Sequence, residues 1–387
     1  MSLLKKTNRL VARPMRCMAR FSPLLRKINN KKYDVIFYST SPFEESFLSA
    51  IVGPASKQLN VAVLRGVKKK CSNSSNWEEL GDVNVYYLRV ESLPYLKCKV
   101  FVTAKSMGAK RERLPRALHH VHVPHSLVSL HTIYPAGSFD GFDVLFAAGK
   151  HHVKEFRCLK QSDDALAYPV GYGRLSILSQ GYYDGRRVDV FKNDYPCVMI
   201  APSWHEGNVL DLVGLVLIEQ LISAGFNVIV RPHFKSYDKS PEVLGAIKRK
   251  FGDCEQFLFD DFSVGGDVFC GVECLISDYS GVAYEFSVVT GNPCVFVDLR
   301  KKHRNTLGQC SHLAPFEITA RDHVGLICSS DVESIVISVK SAIGPKREEL
   351  QRRISDARRS LVFNYHEGVG ECAVDALRQL VSPRGVG

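Results

Sequence analysis

Three groups of residues have the types and spacing to do chemistry on an anionic ligand. The first is Ser277-Asp278-Tyr279-Ser280-Gly281, followed four residues on by Glu285. A buried apolar run, Cys274 to Ile276, enters this polar turn and an amphipathic pattern leaves it, so the turn opens a helix. Ser277 or Ser280 is placed to cap that helix, and the backbone N–H groups of Ser280 to Val282 would face an anion at the positive end of its dipole. Glu285 falls on the same face one turn deeper, within reach of a ligand hydroxyl. The second group is Arg231-Pro232-His233, at the end of the strand Val228 to Val230, where a guanidinium and an imidazole can hold a phosphate. The third is His125, which follows Pro124 at the carboxyl end of a strand, where an imidazole can act as a general base near neutral pH. Each group has a plainer alternative. The turn fits an ordinary capped crossover helix, Arg231 a structural salt bridge, and His119, His120 and His122 simple strand residues.

These residues need a scaffold that brings strand ends together. Apolar runs recur at Val35–Tyr38, Val61–Leu64, Val85–Leu88, Val100–Val102, Leu118–Val123 and Val144–Ala147, and again at Cys197–Ala201, Val228–Val230, Phe257–Phe259, Cys274–Ile276 and Cys294–Val297. Helical or loop segments separate them, which predicts an α/β architecture of parallel, Rossmann-like sheets. No G-x-G-x-x-G follows the first strand, so a dinucleotide fingerprint is absent. Tyr168 to Pro196, rich in Gly, Tyr and charge, reads as irregular chain joining two halves. The expected division is a basic arm over 1–32, an N-terminal domain over 33–180, a linker over 181–196, a C-terminal domain over 197–345 and terminal helices over 346–387. Two such halves would leave a cleft between the carboxyl edges of their sheets, where small ligands are held.

Composition narrows the class. The 387 residues suit two α/β domains, and 45% hydrophobic with 24% charged residues is typical of a soluble globular chain. No run of about eighteen apolar residues predicts a transmembrane helix. The twelve cysteines show no paired spacing and several sit in apolar strands, which predicts reduced thiols and a cytoplasmic protein. Cys270-x3-Cys274 has no second pair or His cluster to complete a metal site.

The net charge of +11 is concentrated before Asp34, the first acidic residue. Val11, Met15, Met18, Leu25 and Ile28 lie roughly on one helical face of that basic arm, although Pro14 and Pro23 interrupt it. Such an arm favours an anionic membrane surface, by about 1 kcal/mol per basic residue. A solvated tail is the alternative; a nucleic-acid partner is not expected, because no aromatic interleaving or binding-fold signature accompanies the charge. Lys301, Lys302, His303 and Arg304 offer further charge to anions.

Taken together, the motifs resemble the CDP-glycerol glycerophosphotransferase family, whose members build the poly(alditol-phosphate) chains of teichoic acids and related capsule polymers. Ala201-Pro202-Ser203-Trp204, Arg231-Pro232-His233, Asp260-Asp261, Ile276 to Gly281, Tyr284-Glu285-Phe286 and Asn292-Pro293 occur in the family's order. Val123-Pro124-His125-Ser126 is similar to its N-terminal His-Gly motif, Val170 to Arg174 to its glycine-rich approach to the linker, and Phe363 to Gly370 to its C-terminal segment. The sequence departs from the pattern at Phe234, where Pro is common, at Gly281, where a second Ser is usual, and at Ser126, where Gly is usual.

The resemblance implies a GT-B fold, two Rossmann-like domains across a cleft, acting on a CDP-activated alditol. It implies that His125 and His233 are catalytic, with His233 and Arg231 on the donor pyrophosphate. Ser203, Ser277, Asp278, Ser280 and Gly281 would complete the donor site, and Glu285 would meet the ribose hydroxyls. The expected reaction passes glycerol phosphate or ribitol phosphate to a hydroxyl of a polymer or lipid-linked saccharide and releases CMP, at the inner face of the cell membrane. No metal or other cofactor is expected to be required. Two other classes remain open: a GT-B glycosyltransferase using a nucleotide sugar, and a non-catalytic polymer- or membrane-binding module of the same fold.

Overall fold

The computed structural model describes residues 22–67, 83–106, 114–183, 191–261, 269–299, 308–365 and 368–382. Two open sheets carry the chain, and every strand pair in both is parallel. The first contains β1 (Val35–Ser39), β2 (Val61–Val67), β3 (Asn84–Arg89), β4 (Val100–Thr103), β5 (His119–His122), β6 (Val144–Phe146) and β7 (Leu166–Tyr168), in the order β3-β2-β1-β4-β5-β6-β7. The second contains β8 (Cys197–Ile200), β9 (Asn227–Val230), β10 (Phe257–Phe259), β11 (Val272–Ser277), β12 (Cys294–Val297) and β13 (Gly325–Cys328), in the order β10-β9-β8-β11-β12-β13. The runs form strands because helices cover both faces: β1, β4, β6, β8, β9 and β12 are buried at every residue. In each sheet the winding reverses beside the central strand, between β1 and β4 and between β8 and β11, and a crevice opens at such a reversal.

Among the described residues, the helices of eight or more residues are α1 (Pro23–Asn30), α2 (Pro42–Ser56), α3 (Lys150–Lys160), α4 (Gly173–Tyr183), α5 (Val209–Ser223), α6 (Pro241–Phe251), α7 (Gly281–Thr290), α8 (Val332–Ile343), α9 (Arg347–Leu361) and α10 (Val369–Val381). The final helix returns to the first domain and packs on α2, where Gly370 lets its backbone approach Pro54 and the Ala50 carbonyl. One apolar cluster runs from β1, β4 and α2 through α10 to α7, β11 and β12, so the two sheets share a continuous core.

Four expectations are corrected. The stretch Tyr168 to Pro196 is not irregular throughout, because Gly173–Tyr183 is the helix α4 and its last turn enters the expected linker. Its glycines serve close approach: Gly171 holds φ +101° against the Phe363 carbonyl, and a Cβ on Gly173 would press on that of Phe47. Two strands, β7 and β13, carry no β-branched run long enough to announce them. Within the arm, Leu25 and Ile28 do not face a membrane; they are buried with Tyr33, Ile36, Leu93 and Leu96 on one face of the first sheet. Val11, Met15 and Met18 lie outside the described residues, as do Lys301, Lys302, His303 and Arg304.

The fourth correction concerns the thiols. Cys158 in α3 and Cys310 beyond β12 form a disulfide with Cα atoms 6.0 Å apart, across 152 residues of sequence. The partners come from opposite domains, so no local spacing could signal the bond. Cys197, Cys274 and Cys294 are buried free thiols, as their apolar strands predict. Among the described residues no helix is long and apolar enough to cross a membrane.

Candidate active site

The carboxyl ends of the two sheets enclose a cleft of about 900 Å³, a volume suited to a nucleotide-sized ligand. It is lined from one side by the segments after β1, β4 and β5, and from the other by those after β8, β9 and β11. His125, Ser203, Arg231, His233, Ser280, Gly281 and Glu285 all reach it. A smaller hollow of about 440 Å³ lies around the disulfide, lined by Lys154, Arg157 and His312, and contains none of the motif residues.

Ser277 and Asp278, expected to bind the donor, lie beneath this surface. β11 runs one residue further than the apolar run, so Ser277 is its last member, fully buried, and its hydroxyl donates to the Ala201 carbonyl at 2.8 Å. Asp278 is equally buried and accepts the backbone N–H groups of Ser203 at 2.7 Å and Tyr279 at 2.6 Å. Both residues brace the turn that presents Ser203 and Ser280. Neither serine caps the helix through its side chain, contrary to expectation: Ser277 is committed to Ala201, and Ser280 occupies the N-cap position of α7 without a side-chain cap bond. The first turn of α7 borders the cleft through Ser280, Gly281 and Val282, so the positive end of its dipole meets whatever binds there.

Arg231 makes the salt bridge of the plainer reading and also lines the cleft. Its Nε lies 3.1 Å from Asp260 Oδ2 and its guanidinium lies over the Phe269 ring, yet it lines the cleft. Burial draws its pKa below the usual range and the Asp260 carboxylate opposes that pull. His233 accepts the Lys235 backbone N–H at Nδ1, at 3.1 Å, and stacks on Phe234 at 4.4 Å. With Nδ1 an acceptor, the ring carries a proton on Nε2, the form that donates to a phosphate oxygen. Ser203 Oγ meets His205 Nδ1 at 2.5 Å, and Lys235 Nζ sits 4.3 Å from the Trp204 ring centroid.

Glu285 is engaged across the domains. It accepts the Tyr172 hydroxyl at 2.8 Å and Arg174 Nε at 3.2 Å, both from the segment that follows β7. Burial, with the neighbouring carboxylate second, holds the Tyr172 pKa well above its usual value, so it stays a phenol. A second carboxylate makes a similar tie: Glu317 reaches the first domain to accept Ser129 N at 2.9 Å and Thr132 Oγ1 at 2.6 Å. Tyr172 and Arg174 stand inside the Val170–Arg174 motif without an assigned role in the sequence, and Glu317 carries no motif at all.

On the first-domain wall, His125 turns Nδ1 to the Tyr134 hydroxyl at 2.7 Å and packs edge-on to Phe47. That hydroxyl also lies 3.4 Å from His122 Nε2, whose ring is fully buried with Phe139 and Phe142 about it. Burial pushes the His122 pKa well down and the Tyr134 pKa up, so both groups are neutral near pH 7. When the Tyr134 hydroxyl donates its hydrogen bond to His122 Nε2, its oxygen can accept the Nδ1–H of His125, and the basic lone pair of His125 is then on Nε2. His119, His120 and His122 are strand residues, and His120 is bonded to the Pro115 carbonyl at 2.9 Å. Tyr134, with no motif around it, is visible only in three dimensions. Phe43 completes this wall and meets Phe234 across the cleft at 5.5 Å. Among the described residues no three His, Cys, Asp or Glu side chains are grouped to hold a metal.

No family model matches the chain, and no curated protein does. Solved structures match it over nearly its full length. The wall teichoic acid polymerase TagF superposes with a TM-score of 0.64 at 14% identity, covering 98% of this chain and 96% of that one. A TagF variant soaked with CDPG gives 0.62 at 15% identity, over 98% and 97%. The chain has the GT-B fold. A UDP-N-acetylglucosamine 2-epimerase described from Listeria monocytogenes shares that GT-B arrangement, with a TM-score of 0.61 at 12% identity over 89% of this chain and 95% of that one. The resemblance read from the motifs thus holds at the level of the GT-B fold from one end of the chain to the other.

Proposed function

We propose that the protein transfers glycerol phosphate or ribitol phosphate from a CDP-alditol to a hydroxyl of a surface-polymer acceptor and releases CMP. One observation carries the reading: His125 on one wall of the cleft stands opposite Arg231, His233 and the first turn of α7 on the other. The acceptor oxygen attacks the β-phosphorus while its proton passes to His125 Nε2. The new P–O bond forms as the bond to the CMP oxygen breaks, and CMP leaves with that electron pair. Arg231, the Nε2–H of His233 and the N–H groups of α7 take up the charge on the phosphates, so the protein's task is positioning and neutralisation, with no cofactor required. The likeness to TagF, one structure of which was soaked with CDPG, supports this donor class. The basic residues Lys5, Lys6, Arg9, Arg13, Arg16 and Arg20 would hold the enzyme to the anionic inner face of the membrane, where a lipid-linked acceptor resides.

Incubation with CDP-glycerol or CDP-ribitol and candidate acceptors, followed by CMP detection, tests the reading. Acceptor-dependent CMP release is expected. Release of UDP or GDP from nucleotide sugars without any CMP release would establish the second reading, a nucleotide-sugar enzyme, which the likeness to the UDP-N-acetylglucosamine 2-epimerase favours.

A further inference from the structure

The two walls of the cleft meet at one place where a missing side chain on one is filled by a side chain from the other. Gly281 opens α7, and a Cβ built on it would overlap Ser126 Oγ. Ser126 directly follows His125 in the loop after β5, and both Ser126 and Gly281 line the cleft. The Ser126 oxygen accepts the Val128 N–H at 3.4 Å, which leaves its own proton to be donated. A hydroxyl from the first domain therefore sits over the N-terminal turn of a helix in the second, where an anion would be bound. The backbone at Gly281 is ordinary helix, so no unusual conformation demands glycine there. The demand is steric and comes from the opposite domain.

We propose that Ser126 is a donor-phosphate contact seated in the notch left by Gly281, and that this pair sets how closely the His125 loop approaches the phosphate-binding helix. The inference rests on the proposed donor site but names a residue pair that the reaction alone does not require. Gly281→Ser places two side chains in space for one, and must push the His125 loop away from α7. Ser126→Gly vacates the notch. The double variant Ser126→Gly, Gly281→Ser returns one hydroxyl to the same place from the other domain. The effects of the two substitutions must then be strongly non-additive.

A double-mutant cycle tests this, read on the thermal midpoint and on calorimetric binding of CDP and of inorganic pyrophosphate. Gly281→Ser is expected to lower the midpoint and to weaken pyrophosphate about 10-fold or more, the scale of a lost hydrogen bond to a charged group. The double variant is expected to return to within about 3-fold of wild type. Ser126→Ala is expected to weaken pyrophosphate and CDP by about 10-fold with an unchanged midpoint, which a merely space-filling serine would not do. Additive singles, a tolerated Gly281→Ser, or wild-type pyrophosphate binding by Ser126→Ala would each overturn the proposal. If no variant binds CDP while pyrophosphate follows the cycle, the cytidine reading of the site fails and this inference stands.

Discussion

The second-domain wall presents a helix N-terminus, a guanidinium and an imidazole donor to the cleft, whereas the first-domain wall presents Phe43, Phe47 and the imidazole of His125, with its cations Lys105 and Arg174 paired to Glu44 and Glu285. The first set suits a fixed, highly charged group, because its donors are held by their own domain: Arg231 by Asp260, His233 by Lys235 N, and Ser203 by Asp278. The second set suits a less charged partner that must be oriented and then deprotonated. His125, the base of the proposed reaction, is held there by a neutral phenol, Tyr134, backed by a neutral His122. Under the proposed function, the contrast separates binding from proton transfer. It also locates the contacts that couple them, Glu285 with Tyr172 and Arg174, and Ser126 with Gly281.

Several changes would break or sharpen that contrast. The largest effect belongs to His125→Ala, which should lower turnover by about 10²- to 10⁴-fold in a CMP-release assay, the usual worth of a general base. Near-normal turnover would remove His125 from the reaction. Tyr134→Phe keeps the ring and deletes the hydroxyl that orients His125, so kcat should fall about 10- to 100-fold with KM for the donor unchanged. A rise in KM without a fall in kcat would place Tyr134 in binding instead. Glu285→Ala cuts one tie between the walls and leaves the half-buried Arg174 without its carboxylate. It should cost about 2 kcal/mol in urea unfolding, the scale of a hydrogen bond to a charged group, and weaken CDP binding. A stable variant with unchanged CDP affinity would show that neither the tie nor the nucleotide depends on it.

Acid should affect the walls unequally, and by the least. Burial holds the pKa values of His122, His151 and His152 below the usual range, and all three belong to the first domain. A depressed histidine pKa means that the unfolded chain binds the extra protons, so stability falls as the pH drops below about 6.5. His131, raised on balance by Glu155, opposes this but is a single group. At pH 5.5 hydrogen-exchange protection factors, taken relative to the intrinsic rate at that pH, should fall in β5, β6 and α3 before β8 and β11. A uniform fall in both sheets would contradict the assignment.

The sequence revealed the second-domain wall far more fully than the first. Contiguous motifs at strand ends name Ser203, Arg231, His233, Ser280 and Gly281, because in a parallel sheet each crossover delivers one short segment to the same edge. It misplaced Ser277 and Asp278 because one extra strand residue decides whether a side chain reaches the cleft or lies beneath it. On the first-domain wall only His125 was legible. Phe43 and Glu317 make contacts between segments distant in sequence, as does the Cys158–Cys310 bond, and Tyr134 reaches His125 only because the chain between them turns back. Ser126 and Gly281 look like two unrelated departures from a motif, yet in space they face each other. The helix α4 was hidden because Gly171 and Gly173, which permit tight packing, carry the same letter as glycines that permit flexibility.

The division of labour between the walls is tested most directly by calorimetric titration of CDP into wild type, His125→Ala and Arg231→Ala side by side. Wild type and His125→Ala should bind with the same affinity, and Arg231→Ala should bind at least about 10-fold more weakly, the cost of a lost charged hydrogen bond. Equal weakening in both variants, or an Arg231→Ala protein that binds CDP as wild type does, would contradict the account.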